Sequence, residues 1–228
     1  MPREMCHRCM RPRSSCLCPT RPPMPTRTRI VLLMHPKEYR HQKCTTGRLT
    51  CLNLANSEII PGVRFDDDAR YRALADDPGN LAVLLYPGKD ARRLGDGGLD
   101  GGGGLDGDGG LRLDGRRLVV FLVDATWHGA RSIVKQSPSL LRLPQIRIEP
   151  RAPSRFTIKR QPAPWCLSTL EATHELLLAL EAAGLDEYPD KERLLAAFHA
   201  MQDFQVRQSA RAAVRTAHRV RGPREPLD

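Results

Sequence analysis

Aromatic residues are scarce in this chain of 228 residues, with two Trp, four Tyr and five Phe. A core must therefore be built from aliphatic side chains, which the 40% apolar share can supply. Long apolar runs are missing too: none approaches the ~20 residues of a membrane span, and the N-terminus lacks a signal-peptide core. The seven cysteines are odd in number, which speaks against a closed disulfide framework. Without an export signal the chain is expected to be cytoplasmic, with reduced thiols. The glycine-rich run has no Lys-Ser/Thr ending and no strand before it, so it is not a phosphate-binding loop. Acidic residues are the minority: 36 Lys+Arg against 26 Asp+Glu leave +10. That surplus favours a polyanionic partner, most simply nucleic acid, over a membrane or an obligate protein partner.

The length suits one sizeable domain with a small appendage. Residues 1–28 are rich in Cys, Arg and Pro and have no helical or strand period. Such a segment needs a staple, and Cys6, Cys9, Cys16 and Cys18 supply four thiolates suited to a closed zinc site. Cys44, Cys51 and Cys166 read as small buried residues. Residues 29–205 form the expected α/β domain, interrupted by a Gly-Asp-Leu loop at 95–110. Residues 206–228 form a basic helix or tail, with Arg207, Arg211, Arg215 and Arg219 at spacings of four on one helix face.

Three apolar runs read as buried parallel strands: 29–34, 81–86 and 117–123. The last is the strongest and ends in Asp124-Ala125-Thr126-Trp127. In open α/β sheets ligands bind past the carboxyl ends of strands, which places Asp124, Thr126 and Trp127 at a candidate site. The alternative is that Asp124 caps the helix expected over 128–136 and Trp127 fills core. Short strands are expected at 146–148 and 156–159. A helix opens at Ser168 with capping-box spacing to Glu171 and stops at Gly184. A final helix begins near Asp190 and runs past Gln208.

Taken in order, His35-Pro36-Lys37-Glu38, Thr45-Thr46-Gly47-Arg48-Leu49, Tyr86-Pro87-Gly88, Asp124-Ala125-Thr126-Trp127 and Leu167-Ser168-Thr169-Leu170-Glu171-Ala172 form a recognisable set. Together with the four-cysteine cluster, they make the chain resemble the DTW-domain family from about Cys6 to Leu180. That resemblance implies a SPOUT-like, knotted α/β fold with a mostly parallel sheet flanked by helices. It also implies tRNA-uridine aminocarboxypropyltransferase activity. In that reaction the 3-amino-3-carboxypropyl group of S-adenosyl-L-methionine moves to N3 of a tRNA uridine, leaving methylthioadenosine. A SPOUT-like RNA methyltransferase and a non-enzymatic zinc-stapled RNA-binding module are the competing readings.

On that resemblance Asp124 is the candidate base, or else orients the uridine or balances the sulfonium charge. Tyr86, Pro87, Gly88, Thr126, Trp127, Leu167, Ser168 and Thr169 are candidates for holding the donor, as is Glu171 through the donor's amino group. Ser168 and Glu171 are equally explained by capping alone. His35 and Glu38 either support the site or only shape the strand-end turn. Lys43, Arg48, Arg155, Lys159, Arg160, Arg207, Arg211 and Arg215 are the candidate tRNA contacts.

Overall fold

The computed structural model describes residues 4–41, 45–88, 91–94, 104–105, 111–159 and 161–220. In chain order the first elements are β1 (Arg29–Met34), α1 (Pro36–His41), α2 (Thr46–Asn53), β2 (Ser57–Pro61), α3 (Ala69–Ala75) and β3 (Asn80–Leu85). Short strands β4 (Arg92–Arg93), β5 (Gly104–Leu105) and β6 (Leu111–Arg112) follow. Then come β7 (Arg117–Asp124), α4 (Trp127–Gln136), α5 (Ser139–Arg142), β8 (Gln145–Arg147), α6 (Thr169–Ala182) and α7 (Glu192–Val220).

Six strands form one parallel sheet in the order β2-β1-β7-β3-β8-β4. The longest apolar strand, β7, lies between β1 and β3, so both its edges are hydrogen-bonded. Alternate residues leave a strand on opposite faces. Ile30, Leu32, Val83, Val120 and Leu122 share one core with Leu49 of α2, Leu176 and Leu177 of α6, and Phe198 of α7. Val31, Leu33, Leu84, Val119 and Phe121 share the other with Tyr71 of α3, Ile133 of α4 and Leu140 of α5. With helices on both faces no strand residue needs to be polar, which explains why β1, β3 and β7 are continuous apolar runs.

Local signals set the helix ends. The Ser168 hydroxyl accepts from the Glu171 N–H, and the Glu171 carboxylate accepts from the Ser168 N–H, closing the capping box of α6. Gly184, at φ 69°, adopts the left-handed conformation that stops it. The expected strand over 156–159 does not form. The Phe156 N–H donates to the Ser154 hydroxyl and the Thr157 N–H to the Gln202 side chain, so these groups bind side chains rather than a ladder. Arg155 and Lys159 therefore do not alternate across a strand. In the glycine-rich region β5 and β6 make a small antiparallel pair, while 95–103 and 106–110 lie outside the described residues.

Arg193, which donates to the Arg21 and Pro22 carbonyls, and one buried acid help fasten the N-terminal segment to the helical layer. The Asp186 carboxylate, between α6 and α7, accepts from the N–H groups of Arg27 (2.8 Å), Thr28 (2.9 Å) and Glu187 (2.7 Å). The Thr28 bond is buried. Asp186→Ala strands that amide, so unfolding in urea is expected to show a loss of roughly 1–3 kcal/mol with an unchanged m-value.

Candidate functional site

A cavity of about 550 Å³ opens past the carboxyl ends of β3 and β7. This is a volume suited to a small-molecule ligand. At its wall stands Asp124, the last residue of β7 and only 9% exposed. Its Oδ1 accepts a 2.6 Å hydrogen bond from the Thr169 hydroxyl at the start of α6. Its Oδ2 is buried and has no hydrogen-bond partner among the described residues. Burial lifts the Asp124 carboxyl from 3.8 to about 6, the Thr169 hydroxyl opposes that rise, Glu38 adds to it, and Lys159 opposes it. Asp124 is not the cap of α4: the Thr126 hydroxyl takes that role, accepting from the Gly129 N–H at 3.2 Å.

The unpaired oxygen faces α2. A Cβ on Gly47 would lie 2.0 Å from Asp124 Oδ2 and 2.9 Å from Met34 Cε. Only glycine lets the first turn of α2 come this close. The motif Thr45-Thr46-Gly47 is therefore part of the site, with Thr45 and Thr46 on the cavity wall and Gly47 behind the acid.

Several residues expected from the sequence do meet here. Tyr86, Pro87, Thr126, Trp127, Leu167, Ser168 and Thr169 all line the cavity with Asp124. Trp127 does not fill core; it is 39% exposed at the cavity wall. Two expected residues do not reach the cavity. Gly88 packs against Gln145 in the turn after β3, its N–H donating to the Tyr86 carbonyl. The Glu171 carboxylate is taken by Ser154 Oγ (2.9 Å), Arg155 N (2.7 Å) and Ser168 N (2.8 Å), and has no reach toward a ligand amine. Its buried role is to tie the loop before α6 to that helix.

Others join: Glu38, expected either to support the site or to shape a turn; Lys159, expected at tRNA; and Trp165 and Cys166, which the sequence did not place here. Glu38 and Lys159 line the cavity, with Lys159 Nζ 4.0 Å from Glu38 Oε2. Trp165 also lines it, 54% exposed, as does Cys166, which is not a core residue. The signal at Glu38 was an acid beside a strand end, read there as one of two alternatives. Trp165 sits in an irregular loop with no period to mark it.

Among the expected tRNA contacts, Arg155, Arg207 and Arg211 are exposed. Arg48, partly exposed, donates to the Tyr39 carbonyl at 2.8 Å with its guanidinium over the Tyr39 ring. Arg215 falls within α7, and Lys43 and Arg160 lie outside the described residues.

Away from the cavity, the sulfurs of Cys6, Cys9, Cys16 and Cys18 all lie within 4.8 Å of one another. Cys6 and Cys18 approach to 3.6 Å, Cys9 and Cys16 to 3.7 Å. Four sulfurs bound tetrahedrally at ~2.3 Å would stand about 3.8 Å apart, so the set could hold a metal ion. The backbone N–H groups of Cys9 and Arg8 pull the Cys6 thiol down to about 6, toward the thiolate a metal needs, while burial pushes Cys18 up.

Comparison with known proteins adds the family. The DTW domain profile matches residues 3–206. A mouse protein named tRNA-uridine aminocarboxypropyltransferase 2 is 31% identical over 214 residues, covering 91% of this chain and 65% of its own length. A Drosophila melanogaster protein of the same name is 29% identical, covering 91% of this chain and 77% of its own. The Arabidopsis thaliana tRNA-uridine aminocarboxypropyltransferase A is 29% identical over 89% of this chain and 81% of its own. The chain thus spans just under two thirds of the mouse relative's length. No solved structure matches. A profile that runs through the cysteine cluster, the Asp124 strand end and the capping box of α6 leaves one conclusion, that the chain belongs to the DTW domain family.

Proposed function

We propose that the chain is a tRNA-uridine aminocarboxypropyltransferase that takes the 3-amino-3-carboxypropyl group from S-adenosyl-L-methionine and places it on N3 of a uridine. The observation that carries the reading is the Asp124 carboxyl, set at the wall of a ligand-sized cavity past the strand ends and raised to about 6 by burial. The family and its relatives' names supply the reaction class.

The uridine imide must lose its proton to become a nucleophile. Asp124, with its carboxyl raised to about 6, is matched to take that proton near neutral pH. N3 then bonds to the methylene beside the sulfonium, the carbon–sulfur bond breaks, and its electron pair stays on the sulfur of methylthioadenosine. Thr169 holds one carboxylate oxygen and the bare Gly47 leaves room for the other, which fixes the acid at the cavity wall. Tyr86, Pro87, Thr126, Trp127, Leu167 and Ser168 are the walls that would hold the donor. Exposed Arg155, Arg207 and Arg211 are suited to phosphate. The parallel sheet with its cavity at the strand ends is in keeping with a SPOUT-like fold, for which a knot is proposed; the expected division is 1–28, 29–205 and 206–228, although α7 (Glu192–Val220) runs unbroken across the last boundary. The four-cysteine group supports a structural zinc, and the reading places the protein in the cytoplasm with tRNA as partner.

The deciding experiment incubates the protein with carboxyl-labelled S-adenosylmethionine and unmodified tRNA. Label in nucleoside together with free methylthioadenosine is expected. Adenosylhomocysteine with no label transfer would mean a methyltransferase instead.

Asp124→Asn keeps the shape and removes the proton acceptor. Single-turnover rates are expected to fall by roughly 10²–10⁴, with donor affinity little changed. The parent's rate is expected to rise with pH through about 6 as Asp124 ionises. Stability should run the other way. An acid whose folded pKa lies above its unfolded value favours folding below the unfolded value, an advantage lost as pH rises through the folded one. Between pH 4 and 6 the parent therefore gives up this contribution. Asp124→Asn should melt higher than the parent at pH 7.5, by roughly 2–3 kcal/mol, and converge with it near pH 4.

Metal analysis is expected to find one zinc per chain and little in a Cys6→Ser/Cys9→Ser variant. Zinc content equal to the parent's would remove the cluster from the account.

A further inference from the structure

Four charged side chains line the cavity: Asp124, Glu38, Lys159 and the exposed Arg147. Asp124 has a chemical use in the proposed reaction. Glu38 and Lys159 do not, yet both face the same space. Glu38 is mostly buried, in α1 just after β1, and Lys159 comes from the loop ahead of α6. Their charged ends stand 4.0 Å apart. The arginine pairs of Glu58, by contrast, close to 2.6 Å. The Glu38–Lys159 pair is thus two opposite charges held side by side at the wall of a ligand cavity, at a spacing that leaves the ammonium donors able to turn to a third group.

We infer that Glu38 and Lys159 form a clamp for the zwitterionic amino-acid end of the donor, Lys159 on its carboxylate and Glu38 on its ammonium. The inference rests on the proposed donor and deepens it. An α-amino acid carries its two charged groups on one carbon, so an acid and a base side by side can meet both at once. A nucleic-acid phosphate fits the same place poorly. It would reach Lys159 but face the carboxylates of Glu38 and Asp124, and it brings no cation to offset them. The expected RNA contact at Lys159 is thereby replaced by a donor contact. The clamp also suits this transfer in particular, since the migrating group carries both charges. Gripping that end fixes the methylene next to Asp124 and holds the group while the bond to sulfur lengthens.

The test compares two nucleosides on the full chain by calorimetry. S-Adenosylmethionine has the amino-acid end, and methylthioadenosine has the same nucleoside without it. Lys159→Gln is expected to weaken S-adenosylmethionine roughly tenfold to a hundredfold, the span of one charge-assisted hydrogen bond. Methylthioadenosine binding should stay within about twofold, which also shows that the variant is folded. Glu38→Gln should show the same selective loss, and Lys159→Arg should recover much of it. Equal loss for both nucleosides, or no loss for S-adenosylmethionine, overturns the clamp. So does a Lys159→Gln variant whose only change is a flatter salt dependence of tRNA binding. If the parent protein binds neither nucleoside, the proposed donor itself fails, and the clamp with it. If the parent binds both and the variants lose nothing, only the clamp fails.

Discussion

The structure depends on covering both faces of β7. Leu118 to Leu122 are buried, with alternate side chains in two separate cores. Such a strand cannot sit at the surface or in a sheet with one wet face. It demands helices above and below, parallel neighbours on either side, and connections that return to the same end each time. The carboxyl ends of β1, β3 and β7 therefore converge, with Met34 in register with Asp124 and Leu85 with Leu122. The acid at the end of β7 is pulled out of water by the same burial that forms the sheet. The raised Asp124 carboxyl is thus a by-product of the core, tuned by one hydroxyl from α6.

Much of this was legible in the amino acids. β1, β3 and β7 announce themselves as apolar runs because both faces of each are covered, and α6 because Ser168 and Glu171 sit at cap spacing. The weaker elements were not. β2 lies at the sheet edge with one residue fully buried, so Ser57–Pro61 carries no clear apolar pattern. The stretch 156–159 looked extended because it holds Phe156, Thr157 and Ile158, but its amides are drawn to Ser154 and Gln202. That competition comes from residues distant in sequence and leaves no local trace.

The site shows the same division. Motifs at strand ends located Asp124, Thr126, Tyr86 and Pro87, since topology alone puts strand ends together. What topology does not say is which side chains are already occupied. Glu171 looked available as a donor ligand, and three protein groups take its oxygens. Arg48, a candidate for RNA, already donates to the Tyr39 carbonyl and lies over its ring. Gly47 was legible only as part of the Thr45–Leu49 motif, and its missing side chain is what makes room for the Asp124 oxygen.

The Glu171 carboxylate has one more consequence. It caps α6 through Ser168 and holds the preceding loop through Ser154 and Arg155, so the first turn of the helix and that wall of the cavity hang from one group. Neither can loosen alone without leaving a buried anion short of its donors. In the language of amide exchange, the Ser168 and Arg155 N–H groups share one acceptor and so should open as one unit, although one is at a helix start and the other in irregular chain. The cavity wall thereby borrows the rigidity of a 14-residue helix without being part of it.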